Sequence, residues 1–181
     1  MSSTERRGPD LVIRAARDDD ARQIAEIHVQ AWQWAYRDLL PKAFLASLSV
    51  ERRAAYWQRW LADADLRRQL WLGLRQERVV GFVAAGPSRD PDADAETGEI
   101  LALYLEQEVV GIGVGRALCA HAVDRLRRDG FRVATLWVLV SNDRARRFYE
   151  RTGWRADGTQ KTEEWSGVAL REERYRRELI D

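Results

Sequence analysis

The 181-residue chain is short of the features that settle many protein classes at a glance. Its single cysteine, Cys119, excludes an intrachain disulfide and suits a reducing compartment. No apolar run is long enough to span a bilayer, and residues 1–10 are polar, without the apolar core of a secretory signal. These absences predict a cytoplasmic protein with no membrane partner. A net charge of +1 lacks the basic excess with which proteins hold nucleic acid. Lysine is confined to Lys42 and Lys161, far from any glycine-rich stretch, so the Gly-Lys-Ser/Thr nucleotide loop is missing. Calcium is disfavoured too. Asp90, Asp92, Asp94 and Glu96 alternate like the start of a calcium loop, but Ala95 stands where the sharp-turn glycine is needed and Leu101 where the bidentate glutamate should be. No metal is expected, and this run reads as a solvated loop.

What is present is 45% apolar residues, enough for one domain with a sizeable core. A polar arm over 1–10 precedes a domain over 11–179. Leu11 to Ala15 reads as a strand. Asp18, Asp19 and Asp20 offer N-cap and dipole-favourable acids to a helix with Ile24, Ile27, Ala31 and Ala35 along one face. Pro41 opens a short helix, Lys42 to Leu48, and Ser49 caps a third, from Val50 to about Ala64, striped by Ala54, Trp57 and Leu61. Gln69 to Arg75 and Val79 to Ala85 form a hairpin, and Glu99 to Leu105 is a further strand. A helix follows and ends at Gly130, and Val133 to Val140 is a strand apolar enough to be buried on both faces. A short helix from Asn142 to Arg151 stops at Gly153. Two strands, Thr159 to Trp165 and Ala169 to Arg177, close the chain. Only the middle alternates strand, helix and strand, so the fold is α/β with a mixed sheet.

Between the strand at Leu105 and the helix at Arg116 lies Val110-Gly111-Ile112-Gly113-Val114-Gly115. Glycine at every second position leaves a row of backbone N–H groups open to close approach, a seat for phosphate oxygens at a helix N-terminus. Alone, such a run reads as a flexible turn; its place between strand and helix favours anion binding, and a pyrophosphate ligand in particular. The dinucleotide fingerprint fails, because Arg116 stands at the third glycine and no acidic residue follows at the required distance.

The loop running into Arg116-Ala117-Leu118 resembles the acyl-coenzyme-A loop of the GNAT N-acetyltransferases, Gln/Arg-x-x-Gly-x-Gly/Ala, with Val110 at the usual Gln or Arg. A second motif resembles that family's fifth strand and following helix: Val138, Asn142, Ala145, Tyr149, Glu150 and Gly153 match in register, with Trp154 for the usual Phe. The resemblance implies a mostly antiparallel, twisted sheet of about seven strands, splayed between the fourth and fifth. It also implies acetyl transfer from acetyl-CoA to a primary amine of a small molecule, by direct attack and without a metal. A non-catalytic acyl-CoA sensor and a protein N-terminal acetyltransferase are the alternatives on the same fold, and a homodimer is compatible with it.

That chemistry needs a base for the ammonium, donors for an oxyanion and an acid for the departing thiolate. The resemblance gives Tyr149 as the acid, against the alternative of a tyrosine packed with Phe148. Glu99 is the candidate base, acting through water, or else an ordinary acid at a strand entrance. Strand alternation puts Glu99 on the face of Leu101 and Leu103 unless a bulge intervenes. Leu103, Tyr104 and Leu105 border the acetyl group, with the oxyanion near the N–H of Tyr104 or Leu105. Residues 110–116, namely Val110, Gly111, Ile112, Gly113, Val114, Gly115 and Arg116, seat the pyrophosphate. Asn142 caps a helix and reaches the pantetheine arm. Trp32, Trp34 and Tyr36 roof the acceptor pocket, while His28 and Cys119 read as satisfied, structural side chains.

Overall fold

Each apolar stretch finds its partner in one seven-stranded sheet, ordered β1-β2-β3-β4-β5-β7-β6. The computed structural model describes residues 11–63, 69–165 and 167–179, so the expected arm over 1–10 and the expected helix end at Ala64 lie outside the described residues. The strands are β1 (Leu11–Ala15), β2 (Gln69–Arg75), β3 (Arg78–Pro87), β4 (Thr97–Leu105), β5 (Val133–Leu139), β6 (Arg155–Trp165) and β7 (Val168–Glu178). Helices α1 (Ala21–Ala35), α2 (Lys42–Ala46), α3 (Val50–Leu61), α4 (Val114–Arg128) and α5 (Asp143–Arg151) flank them. All neighbouring strands are antiparallel except β4 and β5, which run parallel across the α4 crossover.

The helical periodicity decides which face each helix buries. Ile24, Ala25 and Ile27 of α1 meet Trp57 of α3 over Leu70, Leu72, Phe82 and Ala84. On the other face Val114, Leu118, Ala122 and Leu126 of α4, spaced by four, pack on Val80, Val83, Ile100 and Leu136. Each large aliphatic side chain so buried contributes about 1.5–3 kcal/mol. Cys119 sits among them, its thiol pushed up to about 11 by burial, and so is inert.

Most starts and stops follow the expected chemistry. Ser49 Oγ accepts from the Arg52 N–H at 3.2 Å, and Gly130 takes φ +92° after α4. Asp20 does not do what its place ahead of a helix suggested. Its carboxylate turns back to Arg14, at 2.7 and 2.8 Å, and to the Arg17 N–H, because a guanidinium is a stronger partner than a helix-end amide. A 3₁₀ turn over Asp18–Asp20 results.

The sheet parts where β4 bends. β4 pairs with β5 only at Thr97, Gly98 and Glu99, opposite Val133, Ala134 and Thr135. Immediately afterwards the register with β3 slips: Ile100 faces Ala85 and Ala102 faces Ala84, leaving Leu101 as the extra residue of a bulge. A bulge bends its strand and increases the local twist, which carries the rest of β4 away from β5. It also reverses the side-chain parity. Ile100 packs on the α4 side with Leu103 and Leu105, so Glu99 looks to the opposite face, the face of Tyr104. Glu99 keeps the face of Leu101, as alternation expects, but the bulge separates it from Leu103.

Candidate active site

The split between β4 and β5 opens into one cleft of about 1420 Å³. Among the residues singled out from the sequence, Glu99, Leu103, Tyr104, Leu105, Val110, Gly111, Ile112, Gly113, Gly115, Arg116, Asn142, Tyr149, Trp32, Trp34 and Tyr36 all line it. Val114 does not. It is the first residue of α4, and its side chain is buried in the core, so it can offer the cleft only its main chain.

At one end the wall is backbone. Gly111 and Gly113 adopt φ +87° and +100°, and a Cβ on either would meet nothing within 4 Å. Gly113 is the N-cap of α4 and has no side chain to satisfy the first turn. Among the described residues, no hydrogen-bond acceptor meets the N–H groups of residues 111–116. Arg116, Arg147 and Arg151 also line the cleft. A row of free amides at a helix N-terminus can receive phosphate oxygens. Asn142 is buried and caps α5 through Oδ1, which accepts from the Ala145 N–H at 3.1 Å.

At the parting itself, three phenols gather. Burial raises the proton affinity of Tyr36 well above the usual value, with Tyr104, Tyr149 and Glu172 adding to it and a hydrogen bond from Asn142 opposing. Tyr104 is pushed up to about 12, again by burial. Tyr149 is raised further by the same cause, so its phenol stays protonated at any working pH. Its ring packs edge-on against Phe148 at 5.1 Å, and among the described residues nothing hydrogen-bonds its hydroxyl. The Tyr149 ring thus packs while its hydroxyl stays without a hydrogen-bond partner among the described residues.

The main chain of β4 is exposed here too. The Glu106 N–H bonds the Val80 carbonyl, and the Tyr104 carbonyl lies against Gly81 on β3. Alternation then turns the main-chain groups of Leu103 and Leu105 to the open edge. Of the two positions expected to supply an N–H, Leu105 faces the split and Tyr104 faces β3.

The other end of the cleft is made of side chains. Trp32 stacks on Trp165 at 5.4 Å and meets Tyr36 edge-on at 4.9 Å. Its Nε1 is buried without a partner of good hydrogen-bond geometry, although it tempers the Tyr104 hydroxyl nearby. Trp34 lies under Arg144, whose guanidinium carbon is 4.0 Å from the ring centre. His28 stacks on Tyr104 at 4.4 Å, and its Nδ1 accepts from Trp57 Nε1 at 3.1 Å. Burial, then the charge of Arg53, lowers its pKa well below the usual value, so it is neutral, as a satisfied core histidine would be.

Glu99 is buried beneath Arg89. Arg89 Nη2 donates to Oε1 at 2.8 Å, and the Arg89 Nε and main-chain N–H donate to Oε2 at 3.4 and 2.9 Å. The acidic run from Asp90 is not simply solvated. Asp90 accepts from Trp137 Nε1 at 2.9 Å, and Arg174 bridges Asp90, Asp92 and Asp157, pinning the loop to β7. Sequence reasoning missed Trp137, Lys161, Glu163, Trp165 and Glu172, all of which line this end. The signal was there. Lys161, Glu163 and Trp165 recur every second residue along β6, and so share one face.

Comparison with known proteins bears directly on this architecture. The family model for the acetyltransferase (GNAT) family matches residues 21–154. An uncharacterized N-acetyltransferase of Bacillus subtilis, YuaI, is 30% identical over 132 residues, 73% of this chain and 73% of that protein. A spermidine N(1)-acetyltransferase of Thermoplasma acidophilum is 23% identical over 155 residues, 82% of this chain and 91% of the other. The crystal structure of the PaiA N-acetyltransferase from T. acidophilum in complex with coenzyme A shares the fold, with a TM-score of 0.73 at 18% identity, covering 93% of this chain and 99% of that one. With the family model spanning the first helix, the parted strands and the free amides of the glycine loop, this chain belongs to the GNAT family of acetyl-CoA-dependent acyltransferases.

Proposed function

We propose that this protein moves the acetyl group of acetyl-CoA to the amine of a small molecule, with donor and acceptor bound together in the cleft. The observation that carries the reading is the continuity of that cleft from the free amides of 111–116, past the three phenols, to the aromatic and acidic end. Acetyl-CoA supplies an acyl carbon activated as a thioester. The main chain of 111–116 holds its pyrophosphate, and the Leu105 N–H stabilises charge on the acyl oxygen. Tyr149 gives its proton to the departing sulfur. Desolvation raises the proton affinity of the departing thiolate as it does that of the phenol, so the raised pKa of Tyr149 does not by itself oppose the transfer. Glu99, with both oxygens engaged by Arg89, forms the floor of the acceptor end. Trp32, Trp137, Trp165 and Tyr36 hold the acceptor by packing and cation–π attraction. The likeness to a protein named for spermidine supports a small-molecule amine.

The test is release of coenzyme A with a panel of polyamines, amino acids, aminoglycosides and N-terminal peptides. Turnover with at least one small amine is expected. Tight acetyl-CoA binding with no release for any amine would indicate a sensor instead, and turnover confined to the peptides an N-terminal acetyltransferase.

A further inference from the structure

We infer that Glu172 is the proton acceptor of this cleft, taking the proton from the acceptor's ammonium before the nitrogen attacks. This assignment rests on the acetyl-transfer reading above and names a residue of that same site. Glu172 lies on β7, paired with Leu139 of β5 on one side and Lys161 of β6 on the other, and its side chain lines the cleft. Four carboxylates line this end, and three are closely held. Glu99 has the three donors of Arg89, Asp90 has Trp137 and Arg174, and Glu163 has Lys161 at 2.7 Å and Trp165 Nε1 at 3.1 Å. Among the described residues Glu172 is met by Lys161 alone, at 3.5 Å, and that ammonium is already shared with Glu163 and with the Trp137 ring. It is therefore the carboxylate best able to receive a new cation.

Its position suits the step. The charge of Glu172 is felt by the hydroxyls of Tyr36 and Tyr104, and Tyr36 in turn neighbours Tyr149. Proton acceptor and proton donor thus flank the parting of β4 and β5. The groups that face Glu172 are Lys161 and Glu163 from β6, Glu99 and Tyr104 from β4, and Tyr36 after α1. Burial raises its pKa above the usual carboxylate value, Lys161 opposes, and Glu163 and Glu99 add to the rise. A base raised toward the working pH accepts a proton more readily than an ordinary carboxylate. In the step, the N–H bond of the ammonium breaks and its proton passes to a Glu172 oxygen. The freed lone pair attacks the acyl carbon, the C–S bond breaks with its electron pair going to sulfur, the thiolate takes the Tyr149 proton, and the surplus proton on the newly acylated nitrogen passes to the Tyr149 phenolate, leaving a neutral amide.

The experiment is the pH dependence of kcat for the full-length protein with an amine that the panel shows to be turned over. In wild type, kcat rises with pH through the raised Glu172 pKa, because the protonated carboxyl cannot accept. Glu172→Gln keeps the shape and is expected to lower kcat roughly 10²-fold, to erase that limb, and to leave acetyl-CoA affinity unchanged. Lys161→Met gives an independent reading. It removes the cation that holds the Glu172 pKa down, so the limb should move to higher pH. A limb that stays in place in both variants, or a Glu172→Gln enzyme changed only in acceptor KM, overturns the assignment while leaving acetyl transfer standing. A wild-type protein that turns over no amine overturns the acetyl-transfer reading, and this assignment with it.

Discussion

The two ends of the cleft are built from different material. The end proposed for coenzyme A is main chain from one short stretch, residues 110–116, beside the first turn of α4. The acceptor end is side chain, brought together from α1, β4, β5, β6 and β7. Backbone amides present the same donors whatever side chains surround them, so such a seat tolerates substitution provided the glycine conformations survive. A side-chain pocket changes with every substitution. On the proposed function, a constant ligand would be held by groups common to all residues, and a variable one by groups that differ.

That contrast can be broken most severely at Gly113. Its φ of +100° and the open space at its Cβ mean that glutamate would project an anion across the free amides. Because charge-assisted hydrogen bonds contribute about 1.5–3 kcal/mol each, losing two of them weakens coenzyme A binding by roughly 10²–10³-fold or more. The conformational cost to the fold is only about 1–2 kcal/mol. Calorimetric titration of folded Gly113→Glu measures this, and unchanged affinity would remove the pyrophosphate from this loop. Next comes Tyr149→Phe, which keeps the packed ring and deletes the free hydroxyl. It should lower kcat by roughly 10²-fold and leave acetyl-CoA affinity alone. Near-wild-type turnover with chemistry rate-limiting would return Tyr149 to packing.

At the acceptor end the effects should be smaller and one-sided. Trp165→Ala removes the partner stacked on Trp32, worth about 0.5–1.5 kcal/mol, so acceptor KM should rise up to about 10-fold. The KM for acetyl-CoA should stay put. Equal changes in both would mean the two ends are not energetically separate. Smallest is Asn142→Ala, which deletes the cap on the Ala145 N–H and should cost about 1 kcal/mol of stability in a denaturant titration. A much larger fall in coenzyme A affinity than in stability would show Asn142 to be a binding residue as well as a cap.

How much of this was legible in sequence follows the same division. Local rules read well where neighbours in the chain are neighbours in space. The glycine loop, the Ser49 and Asn142 caps, the turn at Gly130 and all seven strands could be placed from spacing and residue type, because each depends on a few consecutive residues. The Asp20 cap could not, since Arg14 on β1 competes for its carboxylate and only the folded chain brings it near. Nor could the bulge at Leu101. A register slip is decided by how β3 and β4 pair along their whole length, and Leu101 has no local mark. With the bulge came the separation of Glu99 from Leu103 and the split that opens the cleft.

Sequence alone therefore determined the elements, their order and the glycine loop ahead of α4, because periodicity, caps and glycine conformations are local physics. Tertiary structure alone decided how closely each carboxylate is held. Glu99, Asp90, Glu163 and Glu172 are the same chemistry in the sequence, separated by up to 82 positions. What distinguishes them is whether Arg89, Arg174 or Lys161 reaches each one, and that depends on how β6, β7 and the loop before β4 pack together.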